Sequence, residues 1–229
     1  IFCLKKVCLS FMTRGSVMNI ERPGNKLAVF ALTEGGAILA ERVSKQIDAA
    51  LYIPNRLTGF IDSDSTAEIN YFKNFTETAQ SLFGKFAAFV FVMAAGIVVR
   101  VIAPVLKSKY VDPAVVVVDE AGQFVISLIS GHVGGANELA RKIASLTGAT
   151  PVITTATDVR NRPAVDMLAK QLNCIPMPLA LVKKVNLALA EGKDVNIESS
   201  WPVPRHLTRG FIYKHSKQVS WRVMITSDA

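Results

Sequence analysis

One stretch limits what this chain can fold into more than any other: Phe124 to Gly148, reading FVISLISGHVGGANELARKIASLTG. Its first six residues are apolar and rich in β-formers, which predicts a strand buried on both faces over Phe124–Ile129. From Ala136 the period changes. Ala136, Leu139, Ala140, Ile143 and Leu146 fall on one helical face and Glu138, Arg141, Lys142 and Ser145 on the other, with Gly148 as a left-handed stop. A buried strand feeding a helix at once is the repeating unit of an α/β sheet.

Between strand and helix lies Gly131-His132-Val133-Gly134-Gly135. Two readings of it stand side by side. The glycines let a ligand approach the main chain, where the unpaired amides of a helix start carry partial positive charge. They also suit a tight connection with no ligand. The spacing is neither GxGxxG nor GxxxxGK[ST], so neither a dinucleotide nor a P-loop nucleotide is indicated.

The flanking sequence repeats the strand-then-helix pattern. Leu27–Leu32 predicts a buried first strand, and Thr33-Glu34-Gly35-Gly36 turns it into a helix marked by Ile38, Leu39, Val43 and Ile47. Ala50–Ile53 predicts a second strand, 56–66 a polar loop, and Asn74–Phe83 a helix broken at Gly84. Phe86–Met93 is the most apolar run and belongs at the centre of the sheet. Ile97–Leu106 reads as a helix, because a chain leaving the carboxyl end of a parallel strand must cross back. Val115–Val118 follows, and Asp119-Glu120-Ala121-Gly122-Gln123 joins it to Phe124–Ile129 as an antiparallel hairpin. Pro151–Thr154 predicts the last strand of this domain, with Thr155–Asp158 a polar loop after it.

Beyond Val159 a smaller α/β pattern begins: helix 163–172, a Cys174-Ile175 strand, helix 179–190, strand 194–198, a rigid Trp201–Pro204 link, and an alternating strand at Val219, Trp221, Val223 and Ile225. The expectation is an α/β protein with a mostly parallel three-layer sheet domain over 26–158, followed by a smaller α/β domain over 159–229. Residues 1–25 lack an initiator methionine at position 1, and Lys5 and Lys6 interrupt their apolar run. They are read as a leader outside the fold, upstream of a start near Met18.

Charge and cysteine content narrow the partners. The net charge is +8, and residues 160–229 carry most of the excess, eleven basic against five acidic side chains. No reader motif for nucleic acid accompanies it, so a small polyanion fits the basic region, as do simply solvated lysines. The apolar run ending at Arg100 is shorter than the roughly 18–20 residues of a membrane span. Cys3, Cys8 and Cys174 cannot all pair, and with three histidines they suggest neither a disulfide framework nor a metal site, pointing to a reducing cytoplasm.

Four motifs in order, Gly96-Ile97-Val98-Val99-Arg100, Asp112-Pro113-Ala114 leading to Val118–Gly122, Ser130–Ala140 and Thr154–Asp158, resemble the N-terminal and middle modules of cobalt-precorrin-5A hydrolase, from the oxygen-independent route to cobalamin. The resemblance runs from about Leu27 to the end. It implies a hydrolase acting on a carbon–carbon bond, which uses water to open the ring A δ-lactone of a cobalt-bound tetrapyrrole and releases acetaldehyde, leaving cobalt-precorrin-5B. The cobalt belongs to the substrate, so no cofactor is implied. The carboxylate-bearing macrocycle supplies a reason for the basic last third, including Lys183, Lys184 and Arg205. The family's third, C-terminal module has no counterpart before Ala229, which implies a fragment or a separate C-terminal module as partner, alongside other corrin-pathway enzymes.

For such chemistry the catalytic candidates are His132, Glu138, Asp119 and Glu120. His132 is the natural base, since imidazole exchanges protons near neutral pH. The amides of Gly134, Gly135 and Ala136 are candidates for an oxyanion. Gly96, Arg100, Gly131, Gly134, Gly135, Asn137, Thr154, Thr155 and Asp158 are the substrate-binding candidates, Arg100 as a carboxylate clamp or a snorkelling surface residue. The hairpin puts the acidic turn and the histidine turn at opposite edges of the sheet, so they cannot share one small site. The competing readings are a non-catalytic tetrapyrrole-binding subunit and a phosphate- or nucleotide-binding domain.

Overall fold

The structure, a computed structural model, describes residues 7–13, 26–61, 66–108, 111–132, 134–155, 164–172, 174–199, 203, 211–212 and 221–225. It comprises two compact units. One lies within 20–153, and the other joins the N-terminal residues to 154–229. The division falls a few residues before the expected one. The first strand, β1 (Val7–Thr13), belongs to the second unit, so part of the stretch expected to lie outside the fold is a strand within it.

The larger unit is a three-layer α/β/α sandwich around a seven-stranded sheet. In chain order its elements are β2 (Leu27–Ala31), α1 (Glu34–Ile47), β3 (Ala49–Pro54), a 3-10 helix (Asn55–Phe60), β4 (Ile69–Phe72), α2 (Phe75–Leu82), β5 (Ala88–Val92), α3 (Ala95–Ile102), β6 (Ala114–Val118), β7 (Phe124–Ile129), α4 (Ala136–Thr147) and β8 (Thr150–Val152). The sheet order is β4-β3-β2-β5-β6-β7-β8, parallel throughout except where β7 runs antiparallel to β6.

Alternation along β5 shows how the core is built. Val90 and Val92 face α1 and α4, while Phe89 and Phe91 face α2 and α3, and all four are buried. A strand covered on both faces has no polar side to its period, which is why AFVFV and AVVVV read as continuous apolar runs. On the α2/α3 face Phe30 is the hub. Its ring stacks on Tyr52 at 4.7 Å and on Phe91 at 5.3 Å, and meets Phe75 edge-on at 6.0 Å.

Several local expectations change for physical reasons. β7 is covered less than predicted: Val125 is buried but Phe124 is exposed, because only the short edge strand β8 lies beyond it. Ile38 and Leu146 point outward, while the expected Leu39, Val43 and Ile47 of α1 and Ala136, Ala140 and Ile143 of α4 are buried, joined by Ala37, Ala40 and Ala144. The helix expected to reach Leu106 stops at Ile102 and tightens into a 3-10 turn over Ala103–Val105, since Pro104 has no amide to continue the ladder. The polar segment after Pro54 folds into a 3-10 helix that buries Leu57. Strand β4 is an addition that periodicity did not indicate.

The smaller unit adds α5 (Val165–Gln171), β9 (Cys174–Met177), α6 (Leu179–Ala190), β10 (Val195–Ser199), β11 (Phe211–Ile212) and β12 (Trp221–Ile225). Its sheet order is β11-β10-β12-β1-β9, with β9 antiparallel to β1 and the other pairs parallel. Val165, Leu168, Val182, Val185 and Leu189 pack the two helices onto Val195, Ile197 and Val223. Asn186 ties α5 to α6: its Oδ1 accepts from the Val165 amide at 2.8 Å, and its Nδ2 donates to Asp166 at 3.1 Å. Among the described residues no helix is long and apolar enough to cross a membrane.

Candidate functional site

The sheet order makes a topological switch point at one edge. After β2 the chain moves through α1 to β3 on one side, and after β5 through α3 to β6 on the other. The two helices cover opposite faces, so the chain parts outside the carboxyl ends of β2 and β5. Open α/β sheets bind ligands at such a switch point.

Four loops meet along this edge. Thr33, the N-cap of α1, accepts from the Gly36 amide at 3.2 Å, and its hydroxyl donates to Glu120 Oε1 at 2.8 Å. A Cβ on Gly35 would stand 3.0 Å from the same Glu120 oxygen, the far end of an exposed side chain. Gly36 brings the start of α1 against β5: a Cβ would lie 3.3 Å from the Val92 carbonyl. From the end of β3, Arg56 Nη2 donates to the Leu32 carbonyl at 2.5 Å, which puts a guanidinium next to Thr33. From the end of β5, Arg100 Nη1 donates to Gly96 O at 3.1 Å across one turn of α3. Arg100 therefore rests against its own helix with its guanidinium exposed.

The two acids of the β6–β7 turn have separate tasks. Asp119 holds the turn itself, with Oδ1 accepting from the Phe124 amide at 2.5 Å and Oδ2 from the Ala121 amide at 3.1 Å. Gly122 completes the turn at φ 67°, against Leu39 of α1. Glu120 alone reaches the α1 start.

The histidine turn lies at the other edge, because β7 returns antiparallel and pairs Ile129 with Val115 near the start of β6. Part of its backbone is committed internally. Ser130 sits at φ 56°, and its hydroxyl donates to the Asp112 carbonyl at 3.1 Å. The Ala136 amide donates to Ser130 O at 3.3 Å and the Asn137 amide to Gly131 O at 3.0 Å, so the amide of Ala136 already has its acceptor. Asn137 is buried and accepts from the Ser127 hydroxyl at 2.6 Å, and a Cβ on Gly131 would come within 2.7 Å of that Asn137 oxygen. Gly135 caps α4 at φ 90°. His132 is half-buried and Glu138 is exposed in the first turn of α4.

Because β8 runs parallel to β7, the chain leaves it on the same edge as the histidine turn, with Thr154 exposed and Thr155 half-buried just beyond. Asp158 and Arg205 lie outside the described residues. Lys183 and Lys184 are exposed on α6. Among the described residues no three His, Cys, Asp or Glu side chains are grouped to hold a metal ion. The structure thus separates Gly96, Arg100 and Glu120 from Gly131, His132, Gly134, Gly135, Asn137 and Glu138. It adds Thr33, Gly35 and Arg56 to the first group. Thr33 and Gly35 lie in the stretch that the sequence marks as the turn into α1, but their nearness to Glu120, like the place of Arg56, follows from the sheet order.

Residues 77–158 match the family described as Cobalamin synthesis G N-terminal, and residues 163–226 that described as Cobalamin biosynthesis central region. The chain is 44% identical over 183 residues to a cobalt-precorrin-5A hydrolase of Salmonella typhimurium, covering 79% of this chain and 50% of that protein. It is 41% identical over 140 residues to a cobalt-precorrin-5A hydrolase of Priestia megaterium, covering 56% and 37%. A solved structure of a putative cobalamin biosynthesis protein G homolog from Sulfolobus solfataricus is similar with a TM-score of 0.48 at 21% identity, covering 90% of this chain and 61% of that one. The chain spans about half the length, or less, of the curated relatives it matches. Two adjoining matches in family order give residues 77–158 and 163–226 the N-terminal and central regions of the cobalamin synthesis G family, in a chain more than 40% identical over its matched parts to relatives named cobalt-precorrin-5A hydrolase.

Proposed function

We propose that this chain provides the N-terminal and central part of a cobalt-precorrin-5A hydrolase of anaerobic cobalamin biosynthesis. In this reading water opens the ring A δ-lactone, a carbon–carbon bond then breaks to release acetaldehyde, and cobalt-precorrin-5B remains. The cobalt arrives and leaves with the macrocycle. The observation that carries the reading is the 44% identity over 183 residues to a relative named for this activity.

The switch-point edge is the proposed seat of the reaction. Lactone opening requires a group that takes a proton from water and returns it to the departing oxygen, and general acid–base catalysis of this kind contributes about 10²–10⁴-fold. Glu120 supplies that group. Arg56 and Arg100 offer exposed guanidinium groups for the carboxylates of the macrocycle, with geometry suited to bidentate contact. His132, with Thr154 and Thr155 on its edge, is the alternative location of the base. It is the weaker one, because the turn around it spends its glycines and the Ala136 and Asn137 amides on its own packing.

A second reading is a non-catalytic tetrapyrrole-binding unit. Anaerobic incubation of the chain with cobalt-precorrin-5A, with acetaldehyde trapped as a hydrazone and binding followed by corrinoid absorbance, tests both. Acetaldehyde release supports the enzyme, and binding without release supports the second reading.

A further inference from the structure

We infer that Thr33 is a positioning residue for Glu120, fixing that carboxylate for proton transfer during lactone opening; the inference rests on the function proposed above. The two residues come from loops after different strands, 87 positions apart, and meet through one hydrogen bond of 2.8 Å. The geometry of that bond is directed. The Thr33 oxygen already accepts from the Gly36 amide, so the hydroxyl proton is free to point at Glu120 Oε1. With Oε1 held, Oε2 is the oxygen that exchanges protons with water and substrate.

Two neighbouring features support a dedicated arrangement. Gly35 leaves the space that Oε1 occupies, where a Cβ would stand at 3.0 Å. Asp119, the adjacent acid, is bound by both oxygens to hairpin amides and anchors the turn that carries Glu120. The turn is thus rigid at one acid and presents the other. A catalytic carboxylate gains from such locking, because misplacement of a reacting group by about 1 Å costs on the order of 10²-fold in rate.

The test separates positioning from helix capping. Aspartate caps a helix about as well as threonine but, when ionised, cannot donate to a carboxylate. Thr33→Asp is therefore expected to keep the melting temperature of the wild type while kcat for acetaldehyde release falls about 10- to 100-fold, with KM within about twofold. Thr33→Ser, which keeps both hydrogen bonds, is expected to restore kcat to within about threefold of the wild type. In the double variant Thr33→Asp/Glu120→Gln the rate should equal that of Glu120→Gln alone, since the threonine acts only through the glutamate. Wild-type turnover with an unchanged kcat in Thr33→Asp, or with additive losses in the double variant, overturns the inference alone. Absence of acetaldehyde from the wild-type chain overturns the proposed function and the inference with it.

Discussion

Gly134 lies directly on Ser130: a Cβ at Gly134 would stand 2.7 Å from the Ser130 carbonyl oxygen and closer still to the Ser130 side chain. Ser130 holds an uncommon left-handed backbone at φ 56° and is tied by its hydroxyl to the Asp112 carbonyl. It cannot easily move aside, so this glycine is required by packing whether or not a ligand ever reaches the turn.

A contrast between two glycines follows. Gly134→Ala should destabilise the larger unit by about 1–3 kcal/mol, the usual cost of overpacking. Gly96→Ala meets only the end of the flexible Arg100 side chain at 3.3 Å and sits in the first turn of α3. It should leave stability unchanged or raise it by up to about 1 kcal/mol. Denaturant melts of the two variants provide the comparison, and equal stability would remove the packing account of Gly134.

The aromatic face of the larger unit hangs on Phe30, which is fully buried and in ring contact with Tyr52, Phe72, Phe75, Phe89 and Phe91. Phe30→Ala should cost about 3–5 kcal/mol, the range for truncating a buried phenylalanine. Phe30→Leu, which keeps most of the volume, should cost clearly less. Chemical denaturation with a tyrosine fluorescence readout checks the order.

Tyr52 titrates higher than an ordinary phenol, chiefly because burial disfavours its charged form and secondly because the Glu68 carboxylate opposes a second negative charge. With the folded value raised above the unfolded one, the group's stabilising contribution is complete below about pH 10 and is lost as pH rises through the folded value. Tyr52→Phe keeps the ring on Phe30 and removes the ionisable group. Wild type should therefore lose stability relative to this variant only in strongly alkaline solution. Parallel pH profiles for the two proteins would contradict the assignment.

What could be read before any coordinates depended on how local the cause was. The runs AFVFV and AVVVV declare parallel strands because burial on both faces leaves an unbroken apolar string. The hairpin at Asp119–Gln123 was legible because Asp119 closes it within five residues. Strand β4, with its four residues INYF at the sheet edge, is too short to establish a period. β1 and β11 owe their place to partners far along the chain: Val7 pairs with Trp221, and Phe211 with Val195.

The site divided along the same line. Gly96, Arg100 and Glu120 are legible because they punctuate recognisable motifs. Thr33 and Arg56 are not, because their place beside Glu120 and Arg100 depends on β2 lying next to β5. The sequence pattern establishes that strands are parallel, not which of them are neighbours, and the switch point is a property of neighbours.

The most direct test of the account compares two variants in one assay, anaerobic turnover of cobalt-precorrin-5A with trapped acetaldehyde as the product. Glu120→Gln preserves the Thr33 hydrogen bond while abolishing proton transfer, and it should lower kcat by about 10²–10⁴-fold. His132→Gln, at the opposite edge, should remain within about tenfold of the wild type, below the range expected for loss of a general base. A severe loss in His132→Gln with Glu120→Gln left active would move the reaction to the glycine-rich turn and contradict the account.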